Sequence, residues 1–328
     1  MNIDNIRNLH IELTTKCNAR CPMCLRNVAG YPYNAGYPLT ELSLQDYKSI
    51  LSPAFLKQIE IVNFNGNLGD FSVANDASEI LHYTADNVGQ VQVETNGGVR
   101  TPNWWAGLAR DNVVIQFALD GLEDTHSLYR IDTSYQKVLD NAIAFINAGG
   151  NATWKMIVFE HNKHQIEQCR ELSIEWGFEH FLLIDDSERI ESSVFSRNGE
   201  FSYWIGSDGP ARSSINIQEE KYTLDEFKVI TQDVNQEALI TCHDHIGAKQ
   251  IYIAGDGSVY PCCFTGAFPN TMLHPGNEQL KKIVKENNAL ENGLEHSIKW
   301  FNKLYESWDK PNVNLGKLLT CLRTCSKQ

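Results

Sequence analysis

No stretch of the chain approaches the run of about eighteen apolar residues that a membrane-spanning helix requires. The opening residues, Met1-Asn2-Ile3-Asp4-Asn5-Ile6-Arg7, lack the basic and apolar blocks of a signal peptide. Both absences lead to the expectation of a cytoplasmic protein with no membrane association. Positive charge is also scarce: 28 Lys and Arg stand against 41 Asp and Glu, a net charge of −13, and no basic run occurs. A phosphate backbone is gripped by concentrated Lys and Arg, so nucleic acid is not an expected partner. The remaining composition, 42% hydrophobic and 21% charged, is that of an ordinary globular chain. Its 328 residues suffice for one large domain and a smaller one.

Cysteine, by contrast, is plentiful and clustered. There are nine, and in a chain expected to stay in a reducing compartment ligand-like groups point to metal rather than to disulfides. Cys17-Asn18-Ala19-Arg20-Cys21-Pro22-Met23-Cys24 has the spacing C-x3-C-x2-C and follows the strand-like run Leu9-His10-Ile11-Glu12-Leu13. Thiolates hold iron–sulfur clusters, and a cubane takes a full set of four. Three on one loop leave an iron with an open position for a small molecule. Zinc is the other chemistry of short C-x2-C spacings, but it needs a fourth Cys or His nearby. His10, near the start of the strand, lies away from a loop at its far end.

From residue 9 to about 185, short apolar runs alternate with amphipathic stretches, the pattern of repeated βα units. Strands are predicted at Leu9–Leu13, Gln58–Phe64, Gln90–Glu94, Val113–Leu119, Thr153–Val158 and Phe181–Ile184, and helices at stretches such as Tyr135–Asn147 and Gln165–Trp176. Cys169 falls within the second of these helices, where a buried small side chain is expected. In βα barrels the site forms where strands end and loops begin.

The three-cysteine loop after a first strand resembles that of the radical S-adenosylmethionine (SAM) superfamily. The resemblance implies an α/β fold, a partial (β/α)6 TIM-like barrel, and a [4Fe–4S] cluster on Cys17, Cys21 and Cys24. It also implies that SAM chelates the open iron and is cleaved reductively to a 5′-deoxyadenosyl radical. By position in the motif, Met23 is implied to lie beside adenine. After the second strand, Asn65-Gly66-Asn67-Leu68-Gly69-Asp70 stands where the family has Gly-Gly-Glu-Pro, whose backbone meets the SAM amino group. Phe71 replaces the proline, and Gly66, Gly69 and Asp70 are the implied contacts. Glu94-Thr95-Asn96-Gly97-Gly98 matches the family's Thr-Asn-Gly, giving Thr95 and Asn96. Phe117-Ala118-Leu119-Asp120-Gly121, followed by His126 and Arg130, matches Ser-Leu-Asp-Gly with Ala118 in place of the serine. Asp120 is thereby implied, and Arg130 is the candidate for the SAM carboxylate. Asn162 stands where related enzymes carry an asparagine near the nucleoside.

Residues 188–236 break the periodicity. Ser192, Ser193, Ser196, Asn198 and Gly199 precede Phe201-Ser202-Tyr203-Trp204, then Gly206, Gly209 and Pro210, and a helical stretch Leu224–Val234 leads onward. A connecting insertion is expected, either covering the barrel mouth or packed on the surface. Residues 237–328 hold Cys242, Cys262, Cys263, Cys321 and Cys325. Lys249–Ala254 and Ser258–Tyr260 flank the tight turn Gly255-Asp256-Gly257, a hairpin that brings Cys242 toward Cys262. Cys321 and Cys325, four apart, share a face of a helical tail. These two pairs make four thiolates, enough for a second [4Fe–4S] cluster with no open iron or for a four-cysteine zinc site. The region resembles the auxiliary-cluster domains of the twitch and SPASM radical SAM families, and five cysteines fit the shorter, one-cluster twitch arrangement. Cys263 is a spare thiol, a rival to Cys262 or a ligand on the substrate side; His243 and His245 are loop residues or support the ligands.

The resulting expectation is a barrel over 1–187, an insertion over 188–236 and an α+β auxiliary domain over 237–328. The expected activity is radical SAM chemistry on a peptide or protein side chain, with the second cluster accepting an electron. No catalytic base is assigned. A small-molecule dehydrogenase is the alternative within the class, and an iron–sulfur electron carrier or zinc protein the alternative outside it. The implied partners are SAM, a reductant such as flavodoxin or ferredoxin, and a peptide. Because the barrel begins within about ten residues of Met1, that peptide is expected to rely on a separate recognition protein or on the insertion.

Overall fold

The computed structural model of the protein describes residues 1–27, 29–31, 38–184, 192–206, 235, 237–267 and 277–326. The chain runs β1 (Asn8–Ile11), α1 (Leu44–Ile50), α2 (Pro53–Leu56), β2 (Ile61–Phe64), α3 (Ala77–Ala85), β3 (Gln90–Thr95), α4 (Pro102–Ala106) and β4 (Val113–Ala118). It continues through α5 (Glu123–Tyr129), α6 (Tyr135–Asn147), β5 (Asn151–Ile157), α7 (Ile166–Glu175), β6 (His180–Ile184), β7 (Ser192–Phe195) and β8 (Phe201–Ile205). After the insertion come α8 (His243–Ile246), β9 (Gln250–Ile253), β10 (Val259–Tyr260), α9 (Cys263–Ala267), α10 (Asn277–Ile283), α11 (Ala289–Asn292), α12 (Leu294–Ser297), α13 (Phe301–Trp308) and α14 (Leu319–Cys325).

Strands β1 to β6 lie side by side in chain order, each parallel to the next. Parallel neighbours need a crossover, and the helices between them supply it. Helix α6 shows why the pattern was readable. Ser134 caps its first turn by accepting from the Lys137 amide, and Val138, Leu139, Ala142 and Phe145 recur at helical spacing and are buried. The main core lies between the sheet and these helices, with Phe64, Trp105, Phe117, Phe145 and Trp154 at no more than 2% exposure. Burying a side chain of this size contributes about 1.5–3 kcal/mol. Cys169 is fully buried in α7 within this core.

The C-terminal hairpin does not form a sheet of its own. Strand β9 adds parallel to β1 in the register Asn8↔Gln250 to Ile11↔Ile253, and β10 returns antiparallel, making one eight-stranded sheet in the order β10-β9-β1-β2-β3-β4-β5-β6. The segment that carries Cys262 is thus joined to the strand that leads into Cys17.

Strands β7 and β8 form a separate antiparallel pair. They pack against the three-cysteine loop: Val194 and Ile205 are buried with Ala19, Cys21, Tyr129, Ile157 and Phe159. The Tyr203 hydroxyl donates to the Leu128 carbonyl at 2.7 Å, and Asp132 accepts from Arg20 of the loop and Arg197 of the hairpin. Gly209, Pro210 and the expected helix Leu224–Val234 lie outside the described residues. Among the described residues, no helix is long and apolar enough to cross a membrane.

Candidate active site

The C-terminal ends of the strands open on a cleft of about 330 Å³ lined by the loop cysteines Cys17, Cys21 and Cys24. Met23, Gly66, Gly69, Asp70, Thr95, Asn96 and Arg130 line the same cleft, as does Ala118 at the serine position. The structure therefore gathers residues spread over more than a hundred positions of sequence at one place.

The 66–70 loop is held from several sides. Gly69 passes so close to β1's continuation that a Cβ would stand 1.6 Å from the Thr14 carbonyl oxygen, and a Cβ on Gly66 would stand 2.0 Å from that of Gly69. No side chain other than hydrogen fits either position. The Asp70 carboxylate is 6% exposed and spends its oxygens on the next strand end. It accepts from the Ser72 amide and hydroxyl, the Thr95 hydroxyl at 2.9 Å and the Asn96 amide at 2.7 Å. Asn96 in turn donates through Nδ2 to Asn18 Oδ1 at 3.0 Å and approaches Cys17 Sγ at 3.5 Å. One bracket thus fixes the second and third strand-end loops to the cysteine loop.

Arg130 stands on the opposite wall. Its Nε donates to Asp120 at 2.6 Å, and its Nη1 lies 3.8 Å from Cys21 Sγ. Asp120 and Asn162, assigned to the cofactor by their motifs, do not line this cleft. Asp120 is fully buried behind Arg130 and accepts the Ile157 amide at 2.7 Å. Asn162 is fully buried and closes the turn after β5, accepting from the Phe159 amide and donating to the Ile157 carbonyl. His126 is buried as well. Its Nδ1 accepts the Asp120 amide at 3.2 Å, which leaves Nε2 to donate to Thr133 at 2.9 Å. Burial pushes its pKa down to about 4.

Several cleft residues escape motif reading. Glu94, Gln116 and Lys155 line it from β3, β4 and β5, and Lys155 is ion-paired with Glu94. Arg26 donates through Nη1 to the carbonyls of Thr15 and Leu68, tying the cysteine loop to the 66–70 loop. A signal for the strand residues existed: a charged side chain on the inward repeat of an otherwise apolar strand marks a lined cavity.

The second constellation is tighter. Cys242, Cys262, Cys321 and Cys325 all line one cavity of about 10 Å³, walled by Leu304, Phe264 and Trp308. Helix α14 presents Cys321 and Cys325 together, and Cys242 and Cys325 are hydrogen-bonded. Cys263 opens α9, does not line this cavity, and its carbonyl accepts from Asn67 of the cleft at 3.1 Å. His243 is largely exposed, and the side chain of His245 lies outside the described residues.

Among the described residues, no three His, Cys, Asp or Glu side chains are drawn tightly enough together to hold a single ion. The thiols line cavities instead. Burial pushes Cys21 up to about 11, with Arg130 opposing, and pushes Cys17 up, with Asp70 and Cys21 adding. Cys262 is likewise raised to about 11, first by burial. Clustered buried thiols of this kind ionise when a cationic centre binds among them. As donor sets, three thiols on an open cleft and four lining one small cavity match the thiolate ligation of iron–sulfur clusters.

A barrel of sequential parallel strands carrying C-x3-C-x2-C at the end of the first, with the remaining strand-end loops gathered around it, is the arrangement that the resemblance to the radical SAM enzymes implies. No family model matches it. Over 266 residues, 76% of the chain, it is 22% identical to the antilisterial bacteriocin subtilosin biosynthesis protein AlbA of Bacillus subtilis (strain 168) and covers 53% of it. The chain thus spans about half the length of that curated relative. Among solved structures, it is similar to Streptococcus suis SuiB bound to S-adenosylmethionine, with TM-score 0.58 and 13% identity over 97% of this chain and 71% of the other. SuiB bound to the precursor peptide SuiA gives TM-score 0.57 and 14% identity, covering 96% and 70%. Native anSMEcpe with bound AdoMet gives 0.52 and 14%, covering 94% and 88%.

Proposed function

We propose that this protein cleaves SAM reductively at a [4Fe–4S] cluster held by Cys17, Cys21 and Cys24 and uses the resulting radical to take hydrogen from a peptide or protein side chain. A second [4Fe–4S] cluster on Cys242, Cys262, Cys321 and Cys325 would complete its cofactors. The carrying observation is that the three-thiol loop opens on the same cleft as the 66–70 loop, Thr95, Asn96 and Arg130. The bound clusters and SAM supply the electron and the 5′-deoxyadenosyl radical.

The chain's own residues bind, orient and exclude water. Backbone carbonyls of the 66–69 loop offer acceptors to the SAM ammonium, and Arg130, anchored by Asp120, presents its guanidinium to the carboxylate. Met23 offers an apolar surface to adenine. Asp70 keeps the loops in register, and the β7–β8 hairpin backs the cysteine loop away from solvent. Asp120 and Asn162 act behind the wall, as supports. Glu94 and Lys155 line the same cleft as the cysteines and would meet a substrate that enters it.

The peptide reading is supported by the relatives, one a bacteriocin biosynthesis protein and another solved with a precursor peptide. A second cluster held by Cys242, Cys262, Cys321 and Cys325 would, when bound, offer an acceptor for the electron that net oxidation of the side chain releases. A low-potential flavodoxin or ferredoxin as reductant and a cytoplasmic location accord with free thiols and iron–sulfur chemistry. The test is anaerobic reconstitution followed by dithionite and SAM. Iron near eight per chain with 5′-deoxyadenosine released supports the proposal; iron bound without SAM cleavage would favour an electron carrier.

A further inference from the structure

Glu12 belongs to no motif, yet its carboxylate accepts three hydrogen bonds between the two cysteine groups. It follows β1, is 2% exposed, and both of its oxygens are used. Oε1 accepts the backbone N–H of Leu68 at 2.6 Å and of Gly69 at 2.8 Å. Oε2 accepts the hydroxyl of Tyr252 at 2.5 Å, and Tyr252 is fully buried in β9. Two consecutive amides converge on one carboxylate oxygen. In a planar trans peptide the carbonyl points opposite to the N–H of the next residue. With the Leu68 and Gly69 amides turned to Glu12, the carbonyls of Asn67 and Leu68 are turned away from it. Leu68's carbonyl is taken by Arg26 at 2.9 Å, and Asn67, whose carbonyl is the other one turned, lines the cleft.

The same residues lead toward the second constellation. Tyr252 sits on the hairpin whose return strand runs into Cys262, and Asn67 Nδ2 donates to the Cys263 carbonyl at 3.1 Å. Two contacts, Glu12–Tyr252 and Asn67–Cys263, therefore join the 66–69 loop to the segment that carries an auxiliary ligand.

We propose that Glu12 is a positioning residue that shapes the 66–69 backbone to receive the SAM ammonium and, through Tyr252, ties that backbone to the auxiliary-cysteine segment. This rests on the SAM reading above. A carboxylate suits the role because it accepts several donors at once while buried, and charge-assisted bonds of this kind are short and strong.

The experiment compares reconstituted wild-type protein with Glu12→Ala, Glu12→Gln and Tyr252→Phe. Three quantities are measured: bound iron, SAM affinity, and the change in the electron paramagnetic resonance signal of the reduced first cluster when SAM is added. Deuterium exchange of the Leu68 and Gly69 amides gives a fourth readout that needs no turnover. Loss of the two loop bonds in Glu12→Ala is expected to weaken SAM binding about tenfold or more, with iron retained and both amides exchanging faster. Glu12→Gln should recover most of the affinity, because its amide oxygen accepts both N–H groups while its NH2 donates to the phenol oxygen. Tyr252→Phe should weaken SAM about threefold and raise exchange at the same two amides. Wild-type affinity and exchange in Glu12→Ala, or in Tyr252→Phe where the alanine variant does not fold, overturns the inference. Wild-type protein that binds iron but not SAM overturns the functional reading instead, so the two failures are separable.

Discussion

The two cysteine groups use the same ligand and differ in what surrounds it. Cys17, Cys21 and Cys24 open on a cleft of about 330 Å³ rimmed by Asp70, Asn96, Arg130 and Lys155. Cys242, Cys262, Cys321 and Cys325 enclose about 10 Å³ among Leu304, Phe264 and Trp308, space for roughly one water. The first cleft has space for a second molecule beside its thiols; the four thiols of the second line a space too small for one, although Cys242 and Cys325 also border an open cavity of about 440 Å³. The comparison also separates two roles for burial. In the first group, buried carboxylates position the loops around a polar cleft; in the second, apolar packing and hydrogen bonds such as that between Cys262 and Thr265 surround the sulfurs.

The sharpest way to break this contrast is at the ligands. Cys17→Ala should abolish 5′-deoxyadenosine formation while leaving the second site able to bind iron; full cleavage by that variant would falsify the assignment of the first cluster. Next in size is Arg130→Met, which strands the fully buried Asp120 carboxylate. Removing one member of a buried pair costs about 3–5 kcal/mol, read as a lower denaturant midpoint, and SAM affinity should fall with it.

His126 gives a pH test of the same wall. Its pKa is lowered from 6.5 to about 4 by burial, so the folded chain holds it neutral where the unfolded chain takes a proton. Its contribution is intact above pH 6.5 and is lost as pH falls toward 4, by about 3 kcal/mol in all. A His126→Gln variant should show a flatter loss of stability across that window in urea titrations at several pH values. The double change Cys321→Ala and Cys325→Ala should lower bound iron by about half with SAM binding retained; unchanged iron contradicts the second site. Smallest is Arg197→Ala, which removes one exposed partner of Asp132. It should cost less than about 1 kcal/mol, because the hairpin is held by Val194, Ile205 and Tyr203.

Much of the fold was legible because its signals are local. The alternation in Val91-Gln92-Val93-Glu94 and the helical spacing in Tyr135–Asn147 depend on neighbours a few residues away, and the elements formed within two or three residues of expectation. The hairpin was equally legible, but its docking onto β1 was not, since that pairing joins residues about 240 apart. The motif residues divide in the same way. Gly66, Gly69, Asp70, Thr95, Asn96 and Arg130 reach the cleft, whereas Asp120 and Asn162 satisfy backbone groups behind it. A spacing tells where a residue falls along the chain, not which way its side chain turns. Glu12 carried no signal at all, because its donors lie 56 and 240 residues away. For the insertion over 188–236, expected either to cover the mouth or to pack on the surface, the described part, residues 192–206, packs against the cysteine loop.

On the proposed reading, the open cleft beside the three thiols is where SAM is cleaved. Anaerobically reconstituted wild-type protein, given dithionite and SAM, should release 5′-deoxyadenosine, and Cys17→Ala, Cys21→Ala and Cys24→Ala should each release none. Wild-type protein with both clusters loaded and no 5′-deoxyadenosine formed would contradict it.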